Sequence, residues 1–339
     1  MNPIIIIGGG PAGVEAAASL ADNNHQVLLF EKEVSLAQKV NGHYTLFPTF
    51  TDAEEVAEKL VSKVVNNPLV SVHVGAEVVS VKQHQGQWEA EDRNGEKYQA
   101  AAVLLCTGYE IFDARRKEEL GFGIYDGIIT SEHFEHLLKE GKIVNSMGET
   151  PRRIVFLQCV GSRDEKTGNH YCSKVCCITA VKQSIDIKRL LPDAEVFCFY
   201  MDLRMTEQSY EELYRQAQED YGVKFVRGRI SEAAATFDGR IQIKAEDTLV
   251  GLPLKMSTDL LVLMVGMEAS SGTRNLGNCC GLEQEYGFIH SKKRHLEDNL
   301  TAQDGLFLAG SCKRPMNLPD CIADARSAAI EIINYLKTR

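Results

Sequence analysis

The chain opens on an apolar strand that runs directly into a glycine-rich turn. Residues 4–7 are four isoleucines, and the sequence GGGPAG follows at 8–13. A helical pattern covers residues 11–20, and an apolar strand over 26–30 ends at Glu31. Strand, glycine turn, helix and second strand make a complete βαβ unit. An α/β fold built on parallel strands is therefore expected.

Each part of this unit has a role in binding a dinucleotide. Gly8 allows the tight turn, Gly10 lets a pyrophosphate approach the backbone, and Gly13 packs helix against strand. The helix N-terminus offers N–H groups to phosphate, and Glu31 would hold the ribose hydroxyls of an adenosine. Because the unit opens the chain and Lys32 follows the acid, the pattern suits FAD at least as well as NAD. The alternative is a glycine-rich turn that binds nothing.

Length and composition favour two such domains and limit the partners. The chain has 339 residues, of which 44% are hydrophobic, and this is enough for two complete cores. The formal net charge of -10 argues against nucleic acid or an anionic membrane as a partner. No apolar run approaches a membrane span, and the first residues lack a signal-peptide pattern. We therefore expect a cytoplasmic protein that does not insert into membranes.

The order of predicted elements places the two domains along the chain. Alternating residues over 70–101 predict a small antiparallel meander, and the buried strand 102–106 then re-enters the first core. From residue 154 a second α/β series repeats the order of the first. The expected fold is α/β with two three-layer, Rossmann-like domains, the first of them discontinuous in sequence. The predicted bounds are 1–113 and 269–339 for the first domain, 114–150 for a linker with one helix, and 151–268 for the second domain.

Four of the ten cysteines lie at the strand-to-helix turn of the second domain. Cys159 is in the strand, Cys172 is in the polar loop, and Cys176 and Cys177 directly precede the helix. A helix N-terminus favours thiolates, thiolates bind iron, and four of them match the ligand count of a [4Fe-4S] cluster. Structural zinc usually shows two short Cys-x-x-Cys pairs, so a zinc site is a weaker hypothesis. A redox dithiol and buried structural thiols are further alternatives.

The same turn lacks the glycines that a second dinucleotide would need. No GxGxxG follows the strand, and residues 172–177 would lie where a pyrophosphate should rest on the helix. Direct NAD(P)H binding in the second domain is therefore expected to be lost. A flavin would instead exchange electrons with the cluster, because it can mediate between two-electron and one-electron partners.

The C-terminal residues resemble the closing segment of two-domain flavoproteins of the glutathione-reductase type. A short strand leads to Gly310-Ser311, and an alanine-rich helix follows Pro319-Asp320. In those proteins the strand passes the ribityl chain and the helix aims its N-terminus at the flavin pyrimidine. Ser311 stands in place of the usual acid, so its hydroxyl or Asp320 would take that hydrogen bond. Asp320 as a plain helix N-cap is the alternative.

Several motifs together resemble the FAD-bearing component of heterodisulfide reductases, their A subunit. They are LQCVGSRD at 157–164, YCSKVCC at 171–177, FYMDLR at 199–204 and FVRGR at 225–229. The likeness covers nearly the whole chain. It implies two thioredoxin-reductase-like domains with a flavin between them, and a [4Fe-4S] cluster on the four cysteines Cys159, Cys172, Cys176 and Cys177.

The chain is most similar to the short forms of this family. It has no CxxCxxC runs of the ferredoxin-like segments found in the longer methanogenic forms, and residues 38–49 replace a cysteine-containing stretch. The resemblance therefore does not carry flavin bifurcation over to this chain. Short forms occur in the heterodisulfide-reductase-like complexes of sulfur oxidation, which we favour, and in quinone-interacting oxidoreductases of sulfate reducers.

The resemblance implies an oxidoreductase subunit that moves electrons between FAD, the cluster and partner proteins. HdrB-like and HdrC-like subunits are the expected partners, within a homodimer or a pseudo-symmetric oligomer. The alternatives are a free-standing NAD(P)H-dependent FAD disulfide reductase and a QmoA-like subunit of a quinone-interacting oxidoreductase. The predicted FAD contacts are Gly8, Gly10, Pro11, Ala12, Gly13, Glu31, Lys32, Gln38, Asn41, Gly42, Thr49, Val78, Thr107, Gly108, Gly310, Ser311, Pro319 and Asp320, with the 38–49 segment expected beside the isoalloxazine.

Other reactive side chains carry no assigned role. His43 and Tyr44 are candidate proton donors, although loop residues of these types more often have no catalytic function. The roles of the remaining cysteines are left open between packing and redox chemistry, and they are Cys279, Cys280, Cys312 and Cys321.

Overall fold

The computed structural model describes residues 2–84 and 86–338, and the chain forms two compact units. The first unit comprises the residues up to Asn41, then Glu54–Glu110, and those from Glu268 onward. The second comprises Gly42–Ala53 and Ile111–Met267. The first domain is thus discontinuous, as predicted, but in three stretches and not two.

Helices and strands alternate around the two parallel sheets, and runs of consecutive strands lie between these parts of the chain. The first half contains β1 Ile4–Ile7, α1 Pro11–Asp22, β2 Val27–Glu31, α2 Gln38–Asn41, β3 Thr45–Leu46, β4 Thr51–Asp52, α3 Ala53–Val65, β5 Val70–Val74, β6 Val78–His84, β7 Gln87–Asp92, β8 Lys97–Ala100, β9 Ala102–Leu105, β10 Tyr109–Ile111, β11 Ile128–Thr130 and α4 Ser131–Glu140. The second half contains β12 Arg153–Val160, α5 Cys176–Leu190, β13 Glu195–Tyr200, α6 Gln208–Glu219, β14 Lys224–Arg227, β15 Ile230–Ala235, β16 Ile241–Asp247, β17 Leu252–Thr258, β18 Leu260–Val265, β19 Met267–Ala269, α7 Ser271–Cys279, β20 Gln284–Glu285, β21 Phe288–Ile289, β22 Leu306–Leu308 and α8 Leu318–Lys337.

The first unit is built on a parallel sheet of order β22-β9-β1-β2-β5. Ile4 and Ile6 of the central strand face a core formed with α1 and α8. Ile5 and Ile7 face a second core, formed with the antiparallel sheet β6-β7-β8 and α7. A strand that is buried on both faces needs an unbroken apolar sequence, which explains the four isoleucines.

The prediction of an antiparallel meander over residues 70–101 is partly wrong. Strands β6 to β8 form the antiparallel sheet, but β5 pairs in parallel with β2 at the edge of the main sheet. An edge strand is only half covered, so Val70 is buried while Ser71 is exposed. That alternation imitates the pattern of an antiparallel strand.

The second unit repeats this three-layer plan. Its parallel sheet has the order β11-β18-β12-β13-β14, with β12 in the centre. One face packs on α4, α5 and α6, and the other on the antiparallel sheet β15-β16-β17. The cysteine-bearing strand β12 therefore occupies the same place in its sheet as β1 does in the first unit.

Residues 114–150 were expected to be mainly a linker, and this expectation is wrong. They supply the edge strand β11 and the helix α4, both within the second unit. Thr130 caps α4 by accepting a hydrogen bond from the His133 N–H at 3.2 Å, and Phe134 and Leu138 are buried. The many glycines of this segment are typical of a loop, and β11 has only three residues, so the sequence pattern did not predict this strand. None of the described helices is both long and apolar enough to cross a membrane.

Candidate functional site

The glycine-rich turn after β1 has no space for side chains at two of its predicted positions. Gly8 has a φ of +110°, and a Cβ there would lie 2.3 Å from the carbonyl oxygen of Cys106. A Cβ on Gly13 would lie 1.8 Å from the carbonyl oxygen of Gly8. By contrast, a Cβ on Gly10 would meet no atom within 4 Å. The turn is therefore closed towards the protein and open on the side of Gly10.

The open side leads to the N-terminus of α1. Gly10 is the N-cap residue and has no side chain to cap the helix, and Pro11 begins the first turn. The N–H groups of Ala12 and Gly13 thus precede the first intrahelical bond, which Val14 donates to Gly10 at 3.0 Å. Free N–H groups and the helix dipole make this turn suitable for a phosphate group.

Glu31 lies beside the turn, as the sequence predicts. Its carboxylate accepts hydrogen bonds from the Gly9 N–H at 2.6 Å and from the Glu33 N–H at 2.9 Å. These bonds fix the carboxylate at the end of β2, where a ribose would be expected. The next residue, Lys32, is exposed and lies 3.8 Å from Glu110.

Two further predicted FAD contacts, Thr107 and Gly108, lie just after the end of β9. Gly108 has a left-handed backbone with a φ of +67°. Its carbonyl oxygen accepts a hydrogen bond from the Thr273 hydroxyl at 2.9 Å, and the Thr107 hydroxyl lies 2.7 Å from the same hydroxyl. Val78 is buried at the start of β6. The Thr107-Gly108 turn is therefore held by the first residues of α7.

The turn after β22 is fixed by an acid that sequence reasoning missed. Gly310 has a φ of +74°, and its N–H donates to the Asp324 carboxylate at 2.6 Å. Lys313 is buried and lies 2.6 Å from Asp324 and 2.8 Å from Asp298. No local sequence pattern predicts the hydrogen bond between Gly310 and Asp324, because Asp324 lies 14 residues later, on α8. Ser311, the residue in place of the usual acid, is buried and lies 3.5 Å from the Cys321 sulfur.

Helix α8 begins earlier than predicted and uses a different N-cap. The Asn317 side chain accepts a hydrogen bond from the Asp320 N–H at 2.8 Å, so the N-cap hypothesis for Asp320 is wrong. Pro319 lies in the first turn, where a missing N–H costs nothing. Asp320 is the acid of that first turn and complements the helix dipole.

The segment expected beside the isoalloxazine is divided between the two units. Gln38 and Asn41 form the short helix α2 of the first unit. Gly42 and Thr49 belong to the second unit, where the Thr49 hydroxyl lies 2.7 Å from that of Thr51. Contact of these four residues with a flavin ring stays a prediction.

The inserted segment Gly42–Ala53 is tied to a buried charge network of the second unit. Lys182 on α5 lies 2.7 Å from Glu135 on α4 and 3.1 Å from Asp186, and all three side chains are at most 2% exposed. The Tyr44 N–H donates to Glu135 at 2.9 Å, and the Thr45 hydroxyl donates to Asp186 at 2.9 Å. The network therefore joins the segment to both helices.

The pKa values of the two buried acids shift in opposite directions. Burial opposes ionisation of Glu135, but His43 and Lys182 outweigh it and lower the pKa of Glu135 to about 2. His43 is a candidate proton donor of the sequence, and its Nδ1 lies 3.7 Å from Glu135. Burial raises the pKa of Asp186 against the opposing charge of Lys182. The signal that sequence reasoning could have used is Lys182 and Asp186, which lie one turn apart on α5.

The four predicted metal-ligating cysteines come together at the turn from β12 to α5. Cys159 is buried near the end of β12, Cys172 is partly buried in the loop, and Cys176 and Cys177 form the start of α5. Burial, together with the nearby Cys177 and Cys172, raises the pKa of Cys159 to about 11. Burial and the three other thiols raise the pKa of Cys176 well above its usual value. Ionising all four would therefore require a strong positive charge among them.

Three of the four sulfurs have a donor that could support a thiolate. Such bonds favour a charged sulfur ligand and are common around metal-bound cysteine. The donors are the Arg163 side chain near Cys159, the Lys174 N–H at 3.3 Å from the Cys172 sulfur, and the Arg204 backbone N–H near Cys177.

The loop that carries these donors is held in a strained conformation. Cys159, Arg163 and Lys174 have φ values of +60°, +54° and +65°, a region that side chains other than glycine rarely adopt. A salt bridge at 2.7 Å between the buried residues Asp164 and Lys117 holds the loop in place. Strain of this kind persists only where the surroundings fix it, and it is concentrated at functional sites.

Among residues 2–84 and 86–338, no group of three or more His, Cys, Asp or Glu side chains is arranged to hold a single ion. In a cubane cluster each thiolate binds a different iron, so the sulfurs are farther apart than the ligands of one ion. The assignment of the four cysteines as cluster ligands stays a prediction.

The remaining cysteines of the first unit are mostly buried. The Cys312 thiol donates to the Leu105 carbonyl oxygen at 3.2 Å, and burial raises its pKa to about 12. Burial also raises the pKa of Cys280 to about 12 and that of Cys321 to about 11. Cys279 is exposed. The buried thiols are satisfied by their surroundings and poorly ionised, which favours packing over redox chemistry.

The chain is similar to known proteins over most of its length. A model of the pyridine nucleotide-disulphide oxidoreductase family matches residues 2–147. The chain is 32% identical to the iron-sulfur A subunit of CoB--CoM heterodisulfide reductase from Methanocaldococcus jannaschii, over 96% of this chain and 63% of that protein. It is 30% identical to a corresponding A subunit from Methanopyrus kandleri, over 97% and 63%. This chain is a homologue of heterodisulfide reductase A subunits. The predicted family resemblance is confirmed.

This A-subunit homologue spans about two thirds, or less, of the length of its curated relatives. The share is 63% for the proteins of M. jannaschii and M. kandleri. A third relative is the A subunit of the H(2)/formate:CoB-CoM heterodisulfide,ferredoxin reductase from Methanococcus maripaludis. It is 40% identical over 67% of this chain and 36% of that protein.

Solved structures confirm the predicted fold of the A-subunit homologue. Thioredoxin reductase of Lactococcus lactis aligns with a TM-score of 0.70 at 17% identity, covering all of both chains. The enzyme of T. acidophilum aligns with a TM-score of 0.69 at 19% identity, over 99% and 98% of the two chains. The two-domain Rossmann-like architecture is therefore that of thioredoxin reductases.

Proposed function

We propose that this chain is an FAD- and [4Fe-4S]-containing electron-transfer subunit of a heterodisulfide-reductase-like complex. The observation that carries the proposal is the set of four cysteines at the β12–α5 turn, three of which have a donor that favours a thiolate. When bound, a flavin can exchange one or two electrons and a cubane cluster one, so the pair links two-electron to one-electron chemistry.

The residues of the first unit fit FAD. The turn is open at Gly10 and offers the N–H groups of α1 to a pyrophosphate, while Glu31 is placed to accept hydrogen bonds from ribose hydroxyls. The start of α8, with Asn317 as its N-cap, lies beside the turn of Gly310, because Asp324 accepts a hydrogen bond from the Gly310 N–H at 2.6 Å. The proposed contacts are those predicted from the sequence.

The residues of the second unit fit a cluster and not a second dinucleotide. The loop from Gly161 to Val175 brings cysteines to the N-terminus of α5, where a phosphate would need bare backbone. Gly161 itself is pressed against a ring, because a Cβ there would lie 2.0 Å from Phe112. Cys159, Cys172, Cys176 and Cys177 would hold the cluster, and their donors would stabilise its negative charge.

Purification without oxygen is the experiment that tests the cluster. We expect four iron and four acid-labile sulfide per chain, together with one FAD and an electron paramagnetic resonance signal after dithionite reduction. Cys172→Ser should lose at least half of the iron and sulfide. Cys279→Ser, which changes an exposed thiol, is the matched control and should keep both. Tightly bound zinc without sulfide would contradict the proposal.

The choice of electron donor separates this function from that of a free-standing disulfide reductase. Because the second unit lacks a nucleotide-binding turn, NADPH should leave the flavin oxidised over minutes, whereas dithionite should bleach it. The flavin absorbance near its visible maximum is the measurement. Rapid bleaching by NADPH would favour the free-standing reductase.

We place this activity in the cytoplasm, in sulfur oxidation, with HdrB-like and HdrC-like partners. The likeness to short forms supports this setting, and the curated relatives are themselves subunits of heterodisulfide reductases. Co-purification of tagged chain from its native cells tests the partners. Recovery of a quinone-interacting membrane complex would instead support the QmoA-like alternative.

A further inference from the structure

Gln158 is a buried side chain with one satisfied end and one unsatisfied end. It lies on β12 beside Cys159 and is 5% exposed. Its Oε1 accepts a hydrogen bond from the Cys177 thiol at 3.2 Å. Its Nε2 has no hydrogen-bond partner among the described residues. An unpaired buried N–H donor is costly and rare, so this one requires a reason.

The present hydrogen bond exists only while Cys177 is a thiol. A metal-bound cysteine is a thiolate, which has no proton to donate and carries negative charge. The Oε1 of Gln158 would then face a like partial charge at 3.2 Å. The amide therefore cannot keep this orientation when Cys177 binds a metal.

A rotation of the Gln158 amide removes both the unpaired N–H donor and the repulsion between Oε1 and the Cys177 thiolate. The O and N atoms of a glutamine amide have nearly the same shape, and turning the group by half a turn exchanges their places. Nε2 would then lie against the Cys177 sulfur as a donor. The oxygen would move to the place where Nε2 now has no partner, and an unsatisfied carbonyl is better tolerated there than an unsatisfied N–H.

We infer that Gln158 donates an N–H···S hydrogen bond to the Cys177 thiolate and thereby sets the reduction potential of the bound cluster. The inference rests on the proposed function. It makes Gln158 a positioning residue, because it acts on the cluster only through Cys177. Reduction adds negative charge, which a donor on sulfur stabilises, so this bond raises the potential.

Replacement of the amide by an apolar group of similar length tests the inference. Gln158→Leu and Gln158→Met remove the donor and should shift the midpoint potential of the cluster to lower values in a redox titration followed by electron paramagnetic resonance. Iron and sulfide per chain are measured first, and only fully loaded samples are compared. Gln242→Leu, a change of a half-buried glutamine on β16, should leave the potential unchanged.

A measurement on the unaltered protein covers the case in which both variants lose the cluster. The protein is labelled with 15N in its glutamine side chains and studied by pulsed electron paramagnetic resonance of the reduced cluster. One amide nitrogen should couple to the electron spin of the cluster, together with an exchangeable proton whose signal disappears in deuterium oxide. No such coupling, or an unchanged potential in a fully loaded variant, overturns the inference while the proposed function stands. Absence of sulfide from the wild-type protein overturns both.

Discussion

Replacing Lys182 by methionine is expected to destabilise the second unit by about 3–5 kcal/mol. The change leaves the Glu135 and Asp186 carboxylates buried without their shared cation, at sites that are at most 2% exposed. Methionine fills much of the same volume, so the loss of charge and not a cavity dominates. The free energy of unfolding of the cofactor-free protein in urea, followed by circular dichroism, is the measurement.

Lys224→Met is the control for this change. Lys224 also pairs with an acid, Glu195, at 3.3 Å, but its side chain is 54% exposed. Surface pairs of this kind contribute about 0–1 kcal/mol, so the control should unfold almost like the wild type. Adding Glu135→Gln to Lys182→Met should restore part of the lost stability, because it removes one of the stranded charges. Equal losses in both lysine variants would show that the buried network contributes no more than a surface pair.

Replacing Gly13 by alanine is expected to lower FAD affinity at least tenfold, which is a loss of about 1.4 kcal/mol or more of binding free energy. The new Cβ would lie 1.8 Å from the carbonyl oxygen of Gly8. Gly8 cannot yield easily, because its N–H donates to Phe30 at 2.8 Å within the sheet. The turn and the start of α1 must separate, and the thermal midpoint of the flavin-free protein should fall as well. Flavin released on heating, per chain, measures the occupancy.

Gly10→Ala separates loss of the ligand from loss of the fold. Gly10 has a φ of -72°, which alanine adopts freely, and a Cβ there meets no atom within 4 Å. This variant should keep the thermal midpoint of the flavin-free protein. It should still bind FAD more weakly, because the methyl group would occupy the approach of the pyrophosphate. Wild-type FAD affinity in Gly10→Ala would show that the pyrophosphate does not pass this side of the turn.

The structural features that could be predicted from the sequence are those whose residues lie close together along the chain. Gly8, Gly10, Gly13 and Glu31 fall within one βαβ unit, and their backbone geometry is dictated locally. Cys172, Cys176 and Cys177 lie within six residues of one another at a helix start. Local patterns of this kind can be interpreted before any tertiary structure is known.

The features that sequence reasoning missed depend on residues distant in sequence. Glu135 and Lys182 are 47 residues apart, and nothing at either position indicates the other. Tyr44 and Thr45 join the same network from still farther away, and therefore the segment 42–53 could not be assigned to the second unit from its sequence. Pairings of this kind are decided by how layers pack, which a single sequence does not record.

The sequential order of the two units has a consequence for synthesis on the ribosome. All strands of the second sheet have been translated once Val265 has emerged, whereas β22 and α8, which complete the first unit, come later. Domains usually fold as soon as their last element is available. We therefore expect the second unit, which carries the four predicted cluster ligands, to fold first. During this time the apolar faces of β1 and α1 stay incompletely covered until α8 has been synthesised.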